Sequence, residues 1–297
     1  MKTEERHDGA IGLDAAHPQT VLRLLAAGQQ AAAKAVDGAI ESIAAAAEIA
    51  AGVLSSGGRL VYAGAGSSGL MAMADALELP GTYGIAHDKI VVLLAGGAAS
   101  LTDLAGGYED DIELGRGDVA RAGIGAGDCL VAISVSGSTP YTLAALDEAR
   151  GRGARIVAVA NNPGAALFKD ADVSILLQTP PEVISGSTRM GAGTAQKIAF
   201  NMFSTLVGIR LGHVYDGHMV NLKADNAKLR GRAVRIVSDI AGIDATEAAR
   251  HLETASGSVK IAILLAAGAD HVATAETTLA GAGQNLRQAL ESFRPKG

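Results

Sequence analysis

The sequence predicts an α/β fold of three layers, a parallel sheet flanked by helices, followed by a small C-terminal module of three helices. Three observations carry this reading. Short apolar runs at residues 59–63, 90–95, 129–134, 156–160 and 173–177 alternate with helical stretches at 70–79, 141–150 and 165–169. That alternation implies parallel strands joined by helical crossovers, with both sheet faces covered. Two of the runs end in turns made of Gly, Ser and Thr. Beyond Gly242 the pattern changes to short helices punctuated by Gly257 and Gly268.

Each element has its own signal. Residues 19–54 are Ala-rich, and Leu22, Leu25, Val36, Ile40, Ile43, Ile49 and Val53 recur at helical spacing. They predict two helices with a break near Gly28 or Gly38. After Pro180-Pro181, a helix over 193–211 is apolar nearly all round (Ile198, Phe200, Met202, Phe203, Leu206, Val207, Ile209). Its composition predicts burial between the sheet and a partner. In the tail, Asp244 with Glu247 caps a first helix, and two more are expected over 258–267 and 272–290. The expected organisation is an N-terminal helical segment (1–55), a central α/β domain (56–236) and the tail module (237–297). The sequence holds no internal repeat and no low-complexity linker.

Composition narrows the function. The 297 residues carry a net charge of −6, no Trp and only 3% aromatics. An acidic chain without a stacking surface does not suit nucleic acid. The single cysteine, Cys129, excludes an internal disulfide and a cysteine metal cluster, and its place in an apolar run predicts a packing role. The seven histidines show no metal spacing, and His213 and His218 are expected in a loop, exposed or locally bonded. The first residues are charged without an apolar signal core, and no uninterrupted apolar stretch reaches a membrane span. The expectation is a cytoplasmic protein without metal or redox cofactor.

The first Gly/Ser turn is Gly64-Ala65-Gly66-Ser67-Ser68-Gly69, and the second is Ser134-Val135-Ser136-Gly137-Ser138-Thr139-Pro140. Each stands where a strand gives way to a helix. A helix start collects unpaired N–H groups and partial positive charge, so it favours an anion. The first turn also satisfies G-x-G-x-x-G, the dinucleotide pattern. That reading needs an acidic residue at the end of the next strand, which instead runs into Ala95-Gly96-Gly97. Serines inside the turn suit a phosphate monoester, so the candidate phosphate ligands are Gly66, Ser67, Ser68, Ser136, Gly137, Ser138 and Thr139.

At these residues the chain resembles the N-acetylmuramic acid 6-phosphate etherases, within the sugar isomerase (SIS) domain superfamily. The resemblance spans nearly the whole chain. It rests on the first turn, on Asp75-Ala76-Leu77-Glu78, on Gly186-Ser187-Thr188-Arg189-Met190, on Ala192-Gly193-Thr194-Ala195-Gln196-Lys197 and on Asn226-Ala227-Lys228-Leu229. It implies an SIS-type sheet, a ubiquitin-associated-like tail, and cleavage of the ether between D-lactate and C3 of a phosphorylated amino sugar. The implied products are N-acetylglucosamine 6-phosphate and D-lactate. It also implies two catalytic glutamates. Glu78 matches the family's proton donor, and Glu109, in Gly106-Gly107-Tyr108-Glu109-Asp110, matches the second active-site residue.

Chemistry divides the work between two such carboxyls. Ring opening gives a C1 aldehyde that acidifies the proton at C2. One carboxylate removes that proton while another protonates the departing lactate, and water then adds to the alkene. Glu109 is assigned to the C2 proton, and Glu78 to the leaving oxygen and then to water. Read without the resemblance, Glu78 is a solvated helix residue and Glu109 part of an acidic helix start. Ser187, Thr188 and Arg189 are expected to reach the sugar or its carboxylate, with an ion pair of Arg189 to Glu182 or another acid as the alternative. Lys197 and Lys228 are ligands or structural partners, and Asn226 satisfies local backbone. Ser67 and Glu78 lie eleven positions apart on one expected helix, about 16 Å. The expectation is therefore a homodimer with its active site at or near the subunit interface.

Three basic positions of the family are lost, at Leu70, Ser138 and Gly191, and Leu79-Pro80-Gly81 replaces a Cys-Pro-Pro run. The substrate is therefore open to a related phosphosugar acid. Two further readings stay open: a phosphosugar isomerase, which uses the same turns and a base at C2, and a non-enzymatic sugar-phosphate-binding regulator.

Overall fold

The computed structural model describes residues 2–104, 106–222, 224 and 226–293. Two compact units emerge: residues 1–76 with 88–204, and residues 77–87 with 205–297.

In the first unit, α1 (Pro18–Lys34) and α2 (Ile40–Ser55) are separated by a 3-10 turn over Asp37–Ala39. The break therefore falls at Gly38, not at Gly28. Pro18 opens α1, where its missing N–H costs nothing. Helix α2 turns Ile43, Ala46, Ala47, Ala50 and Ala51 into the core. Taken whole, Pro18–Ser55 is long and apolar enough for a membrane span by length and composition, although charged residues interrupt it. The turn at Gly38 divides it into helices of 17 and 16 residues, and the second packs its alanines on protein.

The sheet follows, with β1 (Leu60–Gly64), α3 (Gly66–Ala76) and then β2 (Ile90–Leu94). Next come α5 (Ile112–Arg121), β3 (Cys129–Ile133), α6 (Pro140–Gly151), β4 (Arg155–Ala160) and β5 (Val173–Leu176), with the short α4 (Leu79–Tyr83) in the second unit. All five strands are parallel in the order β2-β1-β3-β4-β5. Every residue of β1 and β3 is buried, as a sheet covered on both faces requires. Cys129 is part of that burial, which pushes its thiol up to about 12. The helical stretch expected over 165–169 is a single 3-10 turn, Ala166–Phe168.

Helix α7 (Gly191–Arg210) closes the unit up to Ser204. The buried Glu182 carboxylate accepts from the N–H groups of Gly191 (2.9 Å) and Ala192 (2.8 Å), and so satisfies the start of α7. Phe200 meets Tyr62 edge-on at 5.8 Å. Asp75, buried, accepts from Tyr62 Oη and Ser204 Oγ, both at 2.9 Å. The helix is not buried all round as expected: Met202 and Ile209 are exposed.

One clamp holds the amino ends of β1 and β3. Arg59 meets Asp128 through Nε (3.0 Å) and Nη2 (2.7 Å), and Asp128 also accepts from the N–H groups of Arg59 and Gly125. Burial alone would raise the Asp128 carboxyl. The Arg59 and Gly125 hydrogen bonds outweigh it and hold the group below the ordinary carboxylate range. Removing one partner of such a pair strands the other. Asp128→Ala is expected to lower stability by about 3 kcal/mol at neutral pH. The lowered carboxyl stabilises the fold above the unfolded-state pKa, and that contribution is lost as pH falls through the folded-state value. Denaturant titrations should therefore show the gap between variant and parent closing in acid.

In the second unit, a hairpin of β6 (Val214–Tyr215) and β7 (His218–Met219) precedes α8 (Ala227–Ala241), α9 (Ala245–Thr254), α10 (Val259–Ala266), α11 (Val272–Gly281) and α12 (Leu286–Glu291). Asp244 caps α9 as expected, through the N–H of Glu247. The third expected tail helix is two helices, parted by a turn at Ala282–Asn285. The core of this unit joins Val237, Leu252, Leu264 and Leu279. His213 and His218 are not loop residues in the open: both are half-buried and flank or form the hairpin. Burial, and then the nearby Lys260, push His213 down to about 4.

Candidate active site

The strand order places the site. β1 and β3 are neighbours, while the crossovers after them lead to β2 and β4 on opposite sides. The loops leaving their carboxyl ends therefore part, and a crevice opens there. A cavity of about 250 Å³ fills it. Its lining includes Ser67 and Ser68 from the first turn, Ser134, Ser136 and Thr139 from the second, and Glu109. Thr3, Glu4, Ala65, Val135, Gly186 and Thr188 complete its lining.

The first turn is tight by necessity. Gly66 adopts a left-handed φ of +52°, and a Cβ there would collide with Glu109 Oε1. Glycine thus allows the Glu109 carboxyl to stand against the opening of α3. The second turn is tied together by its own hydroxyls. Ser134 Oγ lies 2.7 Å from Thr139 Oγ1 and 3.1 Å from Ser136 Oγ, and accepts from the N–H of Gly137 at 3.1 Å. Ser136 Oγ accepts from the N–H and hydroxyl of Ser138, each at 3.1 Å. Gly137 has φ +71°, where a Cβ would strike Ala165. A network of hydroxyls fixed at a helix start presents donors to an anion without rearrangement.

Glu109 is half-buried. Its backbone N–H donates to the carbonyl of Gly106 at 3.0 Å, and its carbonyl accepts from the N–H of Tyr141 at 3.0 Å. Burial, and then the charge of Asp110, raise its carboxyl above the ordinary range. The adjacent Asp111 caps α5 through the N–H of Leu114 at 2.8 Å. The acidic run is thus divided: one carboxylate caps a helix and another faces the cavity.

Of the residues expected from the sequence, Ser67, Ser68, Ser136, Thr139, Thr188 and Glu109 line this cavity. Gly66 and Gly137 shape its turns. Ser138 is exposed beside the second turn, and Ser187 and Arg189 are not part of the lining. Arg189 is exposed, and the Glu182 alternative is filled by the N–H groups of α7. Lys197 is taken up by Asn201 Oδ1 at 2.6 Å, and Asn226 caps α8 through the N–H of Leu229 at 2.9 Å. Gly191 is buried, and a Cβ there would lie 3.0 Å from Glu182 Oε2. No Lys or Arg stands among the described lining residues, so an anion there would meet only hydroxyls and N–H groups.

Glu78 belongs to the second unit. Helix α3 stops at Ala76 and α4 begins at Leu79, so Ser67 and Glu78 do not share one helix. Pro80 has no N–H to give the Ala76 carbonyl four residues back, so the ladder of α3 ends at Ala76, and Pro80 sits instead in the first turn of α4. Glu78 is exposed, and its side chain makes no hydrogen bond among the described residues. The sequence reading missed Thr3, Glu4 and Ser134. Ser134 stood inside the quoted turn, but Thr3 and Glu4 carry no motif that ties them to a strand end.

A family model described as SIS domain matches residues 25–161. The N-acetylmuramic acid 6-phosphate etherase of Deinococcus radiodurans is 43% identical, over 97% of this chain and 95% of its own length. That of Symbiobacterium thermophilum is 46% identical, over 89% of this chain and 88% of its own. A crystal structure of a putative phosphosugar isomerase involved in capsule formation from Bacteroides fragilis matches at TM-score 0.50 and 21% identity, over 67% of this chain and 93% of that one. It agrees with the parallel-sheet fold.

Proposed function

The chain belongs to the N-acetylmuramic acid 6-phosphate etherase family, and from that premise we propose how its residues perform the reaction. It is a carbon–oxygen lyase that cleaves the D-lactyl ether of N-acetylmuramic acid 6-phosphate, giving N-acetylglucosamine 6-phosphate and D-lactate. The observation that carries the assignment is the cavity at the ends of β1 and β3, with paired hydroxyl turns and a raised carboxyl in one space.

The phosphoryl group sits on Ser67, Ser68, Ser136 and Thr139, at the starts of α3 and α6. This holds the sugar carbons against Glu109. The C1 aldehyde of the opened sugar acidifies C2–H, and Glu109 accepts that proton. Glu78 donates to the C3 oxygen as lactate leaves, then takes a proton from the water that adds to the alkene. The step balances: C3–O breaks as a C2–C3 double bond forms, the water oxygen then adds at C3, and the proton held on Glu109 returns to C2. Ser187, Arg189 and Lys197 are kept as candidates for the substrate's carboxylate end, and Gly66, Gly137 and Ser138 for its phosphate. The loss of cations at Leu70, Ser138 and Gly191 leaves room for a related phosphosugar acid.

The finer setting is read the same way. The protein works as a homodimer in the cytoplasm, in amino sugar catabolism during peptidoglycan recycling. Residues 56–236 form the phosphosugar-binding domain, behind the helical segment 1–55, and the tail from 237 is the ubiquitin-associated-like module. Incubation with N-acetylmuramic acid 6-phosphate should release D-lactate and N-acetylglucosamine 6-phosphate in equal amounts. Binding of that substrate without release of lactate would reject the lyase.

A further inference from the structure

We propose that Glu4 is a positioning residue, accepting hydrogen bonds from the hydroxyl and amide donors of the sugar at the end of the cavity away from its phosphate. The proposal rests on the cavity reading above. Lys2–Glu4 form a 3-10 turn, and Thr3 is 1% exposed. Thr3 Oγ1 accepts from Asn162 Nδ2 at 3.1 Å, and the same Nδ2 donates to the carbonyl of Val135 at 3.0 Å. Val135 lies in the second hydroxyl turn and lines the cavity. The Thr3 carbonyl accepts from the N–H of Gly186 at 3.3 Å, and the Glu4 carbonyl accepts from Ser185 Oγ at 2.8 Å.

Anchoring is thus done by Thr3 and by backbone atoms. The Glu4 side chain takes no part in it: among the described residues it has no hydrogen bond and no ion pair, yet it lines the cavity. Its carboxylate stands beside Gly186, where an added Cβ would lie 3.2 Å from Oε2. A carboxylate is acceptor-only. It repels a phosphoryl group, so it does not belong to the phosphate end. It suits hydroxyl groups and an acetamido N–H, which a sugar supplies and an inorganic anion lacks. The remaining lining of the cavity, Glu109 aside, offers hydroxyls and N–H groups. One wall therefore prefers the phosphate and Glu4 prefers the donor-bearing carbons, which fixes the direction in which the substrate lies.

Calorimetry with two probes, N-acetylglucosamine 6-phosphate and inorganic phosphate, separates this role from a structural one. Hydrogen bonds to charged groups support an expected loss of roughly 10- to 100-fold in affinity for the sugar phosphate in Glu4→Ala, with inorganic phosphate affinity held within about threefold. In turnover the loss should appear in KM, with kcat little changed. Glu4→Gln keeps the shape and one acceptor, so it should fall between parent and Glu4→Ala, and it gives the same contrast if Glu4→Ala fails to fold. Unchanged binding of the sugar phosphate, equal loss of both probes, or a fall in kcat at constant KM would each overturn the assignment. A parent protein that binds no inorganic phosphate would overturn the cavity reading itself, and this one with it.

Discussion

Replacing Glu109 by Gln is expected to slow D-lactate release by roughly 10²–10⁴-fold, while N-acetylglucosamine 6-phosphate still binds. The residue is held from both sides by backbone hydrogen bonds to Gly106 and Tyr141, so the amide should occupy the same place. Only the proton acceptor is lost. Its ionisation gives a second, sharper expectation. Burial first, and the Asp110 charge second, raise the Glu109 carboxyl. A general base works ionised, so kcat/KM should fall in acid as Glu109 takes up a proton. Asp110→Asn removes one of the two causes and should move that acid limb to lower pH. Asp110 is exposed, so added salt should shrink the shift. An acid limb that ignores both Asp110→Asn and salt would assign the ionisation to another group.

Most of what frames this site was legible because its signals are local. The strands announce themselves as short apolar runs, and the turns as Gly and Ser at the ends of those runs. Burial of all of β1 and β3 has the same origin, since strands covered twice need apolar residues at every position. What escaped was non-local or depended on one competing residue. The contact between Thr3 and Asn162 joins positions 159 apart, and no spacing rule reaches that far. The apolar pattern runs on through Leu77 and Leu79 and so predicts a longer α3, while Pro80, with no N–H for the Ala76 carbonyl, decides the break. The tail helix expected over 272–290 divides for a similar reason, with Gly281 and Gly283 beside a turn that the apolar spacing conceals. Charge alone predicts a ligand or an ion pair for Arg189. The structure gives its expected partner, Glu182, to the two N–H groups that open α7, a demand every helix start makes.

Glu78→Gln is expected to abolish turnover and leave sugar phosphate binding intact, and its activity should return in a mixed dimer. Helix α3 ends before Glu78, so no distance along one helix separates Glu78 from Ser67. The surroundings of the two glutamates support a shared site instead. Leu77, next to Glu78, is 68% exposed. The segment that carries Glu109 exposes Leu101, Leu104, Tyr108 and Ile112. Large apolar side chains clustered in the open mark a surface that another protein covers. The four around Glu109 form such a segment, and the second copy of the proposed homodimer is the covering partner expected there. In that arrangement Glu78 of one copy serves the cavity of the other. A copy with Ser67→Ala and Ser136→Ala then lacks its own phosphate cradle but can still lend Glu78. A Glu78→Gln copy keeps its cradle and lacks the acid. Each homodimer should be inactive, whereas the heterodimer assembles one complete site and should recover up to about half of the parent rate by site counting. Heterodimers demonstrated by mass and still inactive would return Glu78 to its own chain. Parent protein that stays monomeric while turning over substrate would remove the partner altogether.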